Sequence, residues 1–332
     1  MRALSVNGAR PIEDRPLMLV ELPAPIPGPG ELRLRVQACG LCRTDLHIIE
    51  GDLPLPTLPI VPGHQIVGTV DQVGEGVTHF QAGDRLGVPW LYSTCGRCAF
   101  CRRDQENLCD AARFTGYHVN GGYAEFVVAP EAFAYPLPTG ISTAHLAPLL
   151  CAGVIGFRAL RLSEIRPGER LGLYGFGGSA HIAIQVAVHW GCEVYVFTRS
   201  EAHRALARQL GAHWAGRVED ELPGLLDSAV IFAPVGRLVQ QALRVLRKGG
   251  TIALAGITMS PIPELDYALL YQERTVRSVA NSTRQDVRDL LRLAVDIPIR
   301  TEVRAFPFEE ANYALQLLKQ SRFSGAGVLV IS

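Results

Sequence analysis

The sequence has no excess charge of either sign and no local cluster of lysine or arginine. Among its 332 residues, 32 basic and 32 acidic side chains cancel, which gives a formal net charge of zero. A nucleic-acid-binding protein needs a basic surface, so the sequence predicts no nucleic-acid partner, and a nucleic-acid-binding zinc ribbon is disfavoured.

A continuous membrane-spanning run is also missing. The longest apolar stretch, from Leu171 to Trp190, is interrupted by glycines and by His181, Gln185 and His189. A membrane span would bury those polar groups in lipid, whereas a strand–turn–helix unit of a folded domain would not. The first residues hold no apolar signal core, so we expect a cytoplasmic protein with no membrane partner.

The length suggests two domains, and an apolar fraction of 48% is enough for two cores. The first half is rich in proline and glycine and has short strand-like runs with long loops between them. Those predicted strands are Glu31–Ala38, Gln65–Val73 and Gly122–Ala129.

From about residue 152, strands alternate with helices, which predicts a parallel sheet covered on both faces. The predicted strands are Arg170–Tyr174, Glu193–Thr198, Ala229–Ala233 and Thr251–Ala255, and the last of them closes the series. One predicted helix follows the glycines after Tyr174 and ends at Trp190, and two more span Glu201–Leu210 and Val239–Leu246. Helices over Asp286–Val295 and Glu309–Lys319 and a strand over Gly327–Ile331 complete the chain. We therefore predict an α/β protein with a β-rich domain over 1–151, a doubly wound parallel sheet over 152–282, and a return to the first domain over 283–332.

Eight cysteines suggest metal sites, because clustered cysteines in a long chain without a signal peptide are typical of metal binding rather than of disulfides. Four of them, Cys95, Cys98, Cys101 and Cys109, have the spacing C-x2-C-x2-C-x7-C. Four thiolates this close in sequence can surround one Zn²⁺ tetrahedrally and leave no open position, so they predict a structural zinc site. Redox cysteines and an iron–sulfur cluster are the competing interpretations.

A catalytic zinc needs three protein ligands and one open position. The remaining candidates are Cys39, Cys42, His64, Cys151 and Cys192, and the residues alone do not choose among them.

Several motifs together resemble those of the zinc-containing alcohol dehydrogenases, in the medium-chain dehydrogenase/reductase superfamily. They are Cys39-Gly-Leu-Cys42-Arg-Thr-Asp-Leu-His47, Gly51-Asp-Leu-Pro-Leu-Pro56, Pro62-Gly-His64, the four-cysteine lobe, Cys151-Ala-Gly153 and a glycine turn, in that order. The resemblance covers nearly the whole chain. It implies a GroES-like catalytic domain, a Rossmann cofactor domain and two Zn²⁺ per chain.

The resemblance further implies that Cys42, His64 and Cys151 bind the catalytic zinc, the Cys₂His set known for alcohol dehydrogenases. Cys39 is the rival of Cys42, and Cys151 could instead be a small buried residue. Asp45 matches a carboxylate that orients the histidine ligand, with a helix N-cap as the alternative role.

By the same resemblance, Thr44 takes the proton of the alcohol and His47 relays it to solvent, unless His47 is an ordinary surface histidine. Two positions depart from the family: Gln65 replaces a usual glutamate, and Ile155 replaces a threonine that often meets the nicotinamide.

A glycine turn between a predicted strand and helix indicates a dinucleotide site. Gly175, Gly177, Gly178, Ser179 and Ala180 form G-x-G-x-x-A within a β-α-β unit. At the end of the second strand, Thr198, Arg199 and Ser200 stand where a carboxylate would select NAD, and this favours NADP over NAD. Arg199 as a solvated loop residue is the alternative. Arg43 resembles a residue that pairs with the cofactor pyrophosphate.

The resemblance places Trp90, Ile49, Leu53 and Tyr117 at the substrate cleft, with core or loop packing as the alternative. These residues predict medium-sized primary or secondary alcohols and their aldehydes as substrates. One competing function is that of a polyol or sugar dehydrogenase of the same superfamily. Another is that of a zinc-stabilised binding protein, such as a lens-type crystallin or a zinc-free quinone-reductase-like relative that has lost its chemistry. The family also implies a homodimer or homotetramer joined through the cofactor domains.

Overall fold

The computed structural model describes residues 1–297 and 299–331, which form two compact units. Unit 1 comprises Met1–Cys151, Asn281–Asp296 and Thr301–Ser332. Unit 2 comprises Ala152–Ala280 and Ile297–Arg300.

Unit 1 is rich in β-structure. Numbered along the whole chain, its strands are β1 (Arg2–Ser5), β2 (Met18–Glu21), β3 (Glu31–Gly40), β4 (Ile66–Val73), β5 (Arg85–Val88), β6 (Leu91–Ser93), β7 (Arg113–Phe114), β8 (Phe126–Pro130), β9 (Tyr135–Pro136), β16 (Val303–Pro307) and β17 (Ala326–Val330). Its helices are α1 (Arg43–Glu50), α2 (Thr143–Leu146), α8 (Arg284–Asp296) and α9 (Ala311–Lys319). Short 3₁₀ turns cover Ile12–Asp14, Cys101–Arg103, Glu106–Leu108, Glu131–Phe133, Ala147–Leu150 and Phe308–Glu310.

The long strand β3 organises the main sheet of unit 1. This sheet has the order β16-β17-β3-β4-β5-β9, and β8 also pairs with β3. Along β3, Leu32, Leu34 and Val36 alternate with more exposed residues, as expected for a strand with one face on the core. Cys39 is near the end of β3, and Cys42 follows two residues after the strand.

Unit 2 is a doubly wound α/β domain. Its strands are β10 (Arg170–Tyr174), β11 (Glu193–Phe197), β12 (Trp214–Gly216), β13 (Leu226–Ile231), β14 (Leu246–Leu254) and β15 (Thr275–Ser278), and its helices are α3 (Ala152–Leu162), α4 (Ala180–His189), α5 (Glu201–Gln209), α6 (Arg237–Arg244) and α7 (Tyr267–Leu270). All neighbouring strands are parallel, in the order β12-β11-β10-β13-β14-β15. This order reverses direction beside β10, where folds of this kind bind dinucleotides. The predicted doubly wound parallel sheet is confirmed.

Three details of the strand prediction are wrong. Strand β12, beside β11 at one edge of the sheet, was not predicted. The series of parallel strands does not close with Thr251–Ala255, because β15 adds a sixth strand beside β14. The strand predicted over Gly122–Ala129 begins only at Phe126, because Gly121, Gly122 and Tyr123 hydrogen-bond to the loop before His64 instead.

Within residues 1–297 and 299–331, no single helix is long and apolar enough to cross a membrane. A bent pair, Thr143–Leu150 with Ala152–Leu162, meets the length and composition only when both parts are counted together.

Candidate active site

Three of the predicted zinc ligands come together in unit 1. Cys42 lies at the start of α1, His64 in the loop before β4, and Cys151 just after the 3₁₀ turn Ala147–Leu150. The potential ligand atoms of the three side chains all lie within 4.8 Å of one another, and the two sulfurs are 3.9 Å apart. Two sulfurs and one imidazole from distant parts of the sequence therefore share one place in the fold.

The sequence at the start of α1 positions the Cys42 sulfur. Cys42 is the N-cap: its Sγ accepts the backbone N–H of Thr44 at 3.4 Å, and Asp45 accepts the Cys42 N–H at 2.8 Å, which forms a reciprocal capping box. Asp45 is therefore the third residue of α1 and not its N-cap, which was the alternative role considered from the sequence. Contact with the Cys151 thiol, together with the nearby His64 imidazole and Thr44 hydroxyl, holds the pKa of Cys42 well below its usual range. The same contact and burial raise the pKa of Cys151.

His64 is fully buried and lies against a carboxylate. Its Nδ1 is 3.1 Å from Oδ1 of Asp45, and both side chains are 0% exposed. Burial alone lowers the pKa of the imidazole, but the nearby Asp45 and Cys42 outweigh burial and raise it to about 10. This pairing is the usual orientation of a histidine ligand, in which a carboxylate holds one ring nitrogen and leaves the other for a metal.

The donor set fits Zn²⁺. Both ring nitrogens of His64 are buried without a hydrogen-bond partner in the described part of the chain, and the contact of Nδ1 is its ion pair with Asp45. An orphaned buried nitrogen costs stability unless something satisfies it. Zn²⁺ satisfies it together with two thiolates, and three protein ligands leave one coordination position for substrate.

Cys39, the rival of Cys42, lies outside this cluster. Its side chain is 0% exposed in the core of unit 1, and burial raises its pKa well above the usual value. Gln65, next to His64, is 1% exposed, and its Oε1 has no hydrogen-bond partner among the residues that the structure describes.

The four-cysteine lobe forms a second cluster in unit 1. The sulfurs of Cys95, Cys98, Cys101 and Cys109 lie within 4.8 Å of one another. None of these cysteines is in a disulfide: the sulfurs of Cys98 and Cys101 are 3.5 Å apart, far beyond a covalent S–S bond. Backbone N–H groups of Arg97 and Cys98 lower the pKa of Cys95 to about 6, which favours the thiolate that a metal requires.

The predicted relay residues lie on α1. Thr44 is 8% exposed, and its Oγ1 is 3.5 Å from the Cys42 sulfur. His47 lies in the last turn of the same helix, where its Nδ1 is 2.7 Å from the Asp52 carboxylate. Asp52 was not predicted from the sequence, although it stands only five residues after His47.

Two of the four predicted pocket residues join an aromatic cluster beside His64. The Trp90 ring meets the imidazole edge-on, with ring centroids 4.7 Å apart, and stacks on Phe114 and Tyr117. The Tyr117 hydroxyl donates to the Pro54 carbonyl, which links this cluster to the loop after α1. Phe114 was not predicted, because nothing in its local sequence distinguishes it.

The other two pocket candidates lie elsewhere. Ile49 is 0% exposed and packs in the core of unit 1, so its side chain presents no surface to a ligand. Leu53 is half-buried in the loop after α1, where its N–H donates to the His47 carbonyl.

In unit 2 the glycine turn connects β10 to α4. Gly175 has φ +90°, a left-handed conformation that favours glycine, and a Cβ there would lie 3.0 Å from the Ala233 nitrogen. A Cβ added to Gly177 would meet nothing within 4 Å, so this part of the turn has open space. Gly178 and Ser179 complete the turn, and Ala180 is the first residue of α4.

The loop after β11 presents Arg199 to solvent between Thr198 and Ser200. Ser200 is the N-cap of α5, and its Oγ accepts the His203 N–H at 3.3 Å. Arg204, which was not predicted, donates to the carbonyls of Thr198 and Arg199 at 2.9 and 3.1 Å. This guanidinium therefore fixes the backbone that carries Arg199. Arg43, in unit 1, is exposed and donates to the Ser321 hydroxyl at 3.2 Å.

Two parts of the chain match domain models of the same protein family. Residues 28–139 match the alcohol dehydrogenase GroES-like domain, and residues 178–296 match the zinc-binding dehydrogenase domain. A probable alcohol dehydrogenase, AdhA, of Mycobacterium tuberculosis is 49% identical, over 100% of this chain and 97% of the relative.

Solved structures agree with this assignment. The crystal structure of an NAD-dependent alcohol dehydrogenase has a TM-score of 0.92 at 28% identity and covers 100% of both chains. A cobalt- and zinc-bound alcohol dehydrogenase of Pyrobaculum aerophilum has a TM-score of 0.91 at 26% identity, over 100% of this chain and 99% of that one. The chain therefore belongs to the zinc-containing alcohol dehydrogenases of the medium-chain dehydrogenase/reductase superfamily, whose members are NAD(P)-dependent oxidoreductases.

Proposed function

We propose that the chain catalyses reversible hydride transfer between a small alcohol and its aldehyde or ketone, at a site built on Cys42, His64 and Cys151. The observation that carries this proposal is the group of two cysteine sulfurs and a buried imidazole with an unpartnered Nε2. A zinc ion held there supplies a Lewis acid for the substrate oxygen, and a bound nicotinamide supplies the hydride acceptor or donor.

Thr44 is the residue we assign to the substrate hydroxyl. Its Oγ1 lies 3.5 Å from the Cys42 sulfur and is held by the first turn of α1. A hydroxyl can accept the proton of an alcohol and donate its own in the same hydrogen-bonded chain. Thr44 therefore holds the proton next to the reacting oxygen and orients that oxygen.

His47 is the residue we assign to proton transfer toward solvent. Its contact with Asp52, at 2.7 Å, favours the tautomer with a proton on Nδ1, so Nε2 is the basic nitrogen. The imidazole side chain is 20% exposed, which allows exchange of the proton with water. Asp45, with 0% exposure, acts differently: it orients His64 and does not carry the proton.

For the cofactor we propose NADP in preference to NAD, bound at the turn of Gly175, Gly177, Gly178 and Ser179. The support is local: β11 ends without a carboxylate, and Arg199 is exposed between two hydroxyl side chains on a backbone that Arg204 fixes. A guanidinium forms strong bidentate hydrogen bonds with a phosphate group and weaker ones with an uncharged ribose hydroxyl. We propose that Arg43 binds the cofactor pyrophosphate, because its positively charged guanidinium is exposed.

For the substrate pocket we propose Trp90, Tyr117 and Leu53, and we leave out Ile49 because it is buried in the core. The aromatic cluster beside His64 favours medium-sized apolar alcohols and aldehydes over polyols, whose extra hydroxyls need polar partners. The cluster Cys95, Cys98, Cys101 and Cys109 is proposed as the structural zinc site.

We also propose a homodimer through unit 2, alone or within a tetramer. Among the described strands, β15 pairs only with β14, so its other edge is open. Large apolar side chains in the segment before β15 and in the loop after β14 are exposed: Tyr267 by 71%, Tyr271 by 61% and Ile257 by 50%. An open strand edge beside exposed apolar side chains is typical of a protein–protein interface.

A substrate panel tests the proposed function. We expect nicotinamide reduction with medium-sized alcohols, and oxidation of the reduced cofactor with the matching aldehydes, for zinc-loaded protein. Removal of zinc with a chelator should abolish both directions, and added Zn²⁺ should restore them. Full activity in the zinc-free protein, or turnover confined to polyols, would overturn the proposal.

A further inference from the structure

A segment that the catalytic assignment does not use packs against the loop of the histidine ligand. Gly121 N–H donates to Val61 O at 2.7 Å, Gly122 N–H to Gly63 O at 2.9 Å, and Tyr123 N–H to Pro62 O at 2.9 Å. These backbone bonds hold the residues immediately before His64. Residues 121–123 are thus the support of that loop.

The Tyr123 side chain extends this support. It is 0% exposed, and its ring fills the space beside Gly63, where a Cβ would lie 2.4 Å from Cδ1 of the ring. Its hydroxyl donates to Oδ2 of Asp45 at 3.0 Å. One buried side chain therefore contacts both the histidine loop and the carboxylate that orients the histidine.

The Asp45 carboxylate has to satisfy several partners at once. Oδ2 accepts from the Cys42 N–H at 2.8 Å and from the Tyr123 hydroxyl, and Oδ1 lies 3.1 Å from Nδ1 of His64. A carboxylate with no solvent exposure is stable in one orientation only when such donors fix it. Without the tyrosine hydroxyl, two protein groups remain to fix the carboxylate, and both belong to ligand residues.

We propose that Tyr123 is a positioning residue of the catalytic metal site. It fixes the Asp45 carboxylate, which in turn orients the imidazole of His64 and accepts the backbone N–H of Cys42, the N-cap of α1. Tyr123 does not touch substrate or metal, and it acts through Asp45. The proposal rests on the assignment of Cys42, His64 and Cys151 as zinc ligands.

Zinc release from Tyr123→Phe tests this role without an activity assay. Zinc leaving the purified protein is followed with the chromogenic chelator pyridylazoresorcinol, and the ion of the four-cysteine lobe serves as an internal reference. We expect one of the two ions to leave about tenfold faster, the lower end of what loss of an outer-shell partner costs in metal affinity, while the other ion is unaffected. Tyr135→Phe is the matched control, because Tyr135 is 2% exposed in the same unit and lies outside the metal site; its release should equal that of the wild type.

A double variant separates positioning from general loosening of the core. If Tyr123 acts through the carboxylate, Tyr123→Phe should accelerate release less than about twofold when Asp45→Asn is already present, because interacting residues are not additive. Equal release from Tyr123→Phe and wild type, acceleration of both ions, or the full tenfold effect in the Asp45→Asn background would each overturn the role of Tyr123. A wild-type protein that binds one zinc would instead contradict the proposed metal site.

Discussion

Arg199 is the residue on which the proposed cofactor preference depends. It is exposed in the loop after β11, and the Arg204 guanidinium donates a hydrogen bond to its backbone carbonyl. We expect Arg199→Ala to raise the KM for NADPH at least about tenfold, since a hydrogen bond to a charged group contributes about 1.5–3 kcal/mol. The KM for NADH should change less than about twofold.

Steady-state kinetics with both cofactors check this prediction. Arg244→Ala is the matched control, because Arg244 is an exposed arginine at the C-terminal end of α6. In a doubly wound domain that end lies away from the carboxyl ends of the strands, where the cofactor binds. Equal changes in KM for NADPH and NADH in Arg199→Ala would remove the argument for NADP.

At the level of single residues, the sequence predicted the ligand set only with the help of the family resemblance. Five cysteine and histidine candidates competed for three positions, and spacing did not separate Cys39 from Cys42. The fold separates them: Cys42 caps α1 beside His64, whereas Cys39 is buried in the core. Tyr123 could not be predicted, because its partner Asp45 is 78 residues away and no local pattern links them.

At the level of secondary-structure elements, strands with a buried apolar run were predictable. The bounds of β10 are those predicted, because its apolar residues stand directly before the glycine turn. Strand β15 was missed because its sequence, Thr-Val-Arg-Ser, has one apolar residue and lies at the sheet edge. The GroES-like and Rossmann assignments are confirmed by the matched domains and by the sheet order.

The four-cysteine lobe is attached to α8 by an ion pair in which the carboxylate is buried. Glu106, between Cys101 and Cys109, accepts from the Arg284 backbone N–H at 2.8 Å and from its Nε at 3.2 Å. The Glu106 side chain is 3% exposed, whereas that of Arg284 is 33% exposed. The lobe and the first turn of α8 are therefore joined through one carboxylate.

Removing the arginine should be costly because the carboxylate would remain buried without its ion-pair partner. We expect Arg284→Met to lower the free energy of unfolding by about 2 kcal/mol, less than for a fully buried pair because the arginine side chain is 33% exposed. Glu106→Gln should cost less, since the amide oxygen still accepts the backbone N–H. Urea unfolding of the zinc-loaded variants measures both effects. An Arg284→Met variant no less stable than Glu106→Gln would contradict the account of this contact.

At the scale of the whole molecule, the open edge of β15 and the exposed apolar side chains in the segment before it predict association through unit 2. Tyr271→Glu places a charge on that surface, where it would lie unpaired in an interface. We expect the mass in solution to fall by half or more, toward the 36.1 kDa of one chain if the assembly is a dimer. Light scattering after size-exclusion chromatography measures this mass.

Met18→Glu serves as the control for the assembly. Met18 is 56% exposed, comparable to Tyr271, but belongs to unit 1. Its variant should keep the wild-type mass. A wild-type protein that is monomeric at all concentrations, or equal masses for Tyr271→Glu and wild type, would contradict an interface on this surface.

The zinc content of three proteins tests the central claim most directly. Cys42 and Cys39 are cysteines three residues apart, but only Cys42 lies in the cluster with His64 and Cys151. Elemental analysis should find two zinc ions per chain in the wild type and in Cys39→Ala, and one in Cys42→Ala. One zinc ion in the wild type, or two retained in Cys42→Ala, would contradict the account.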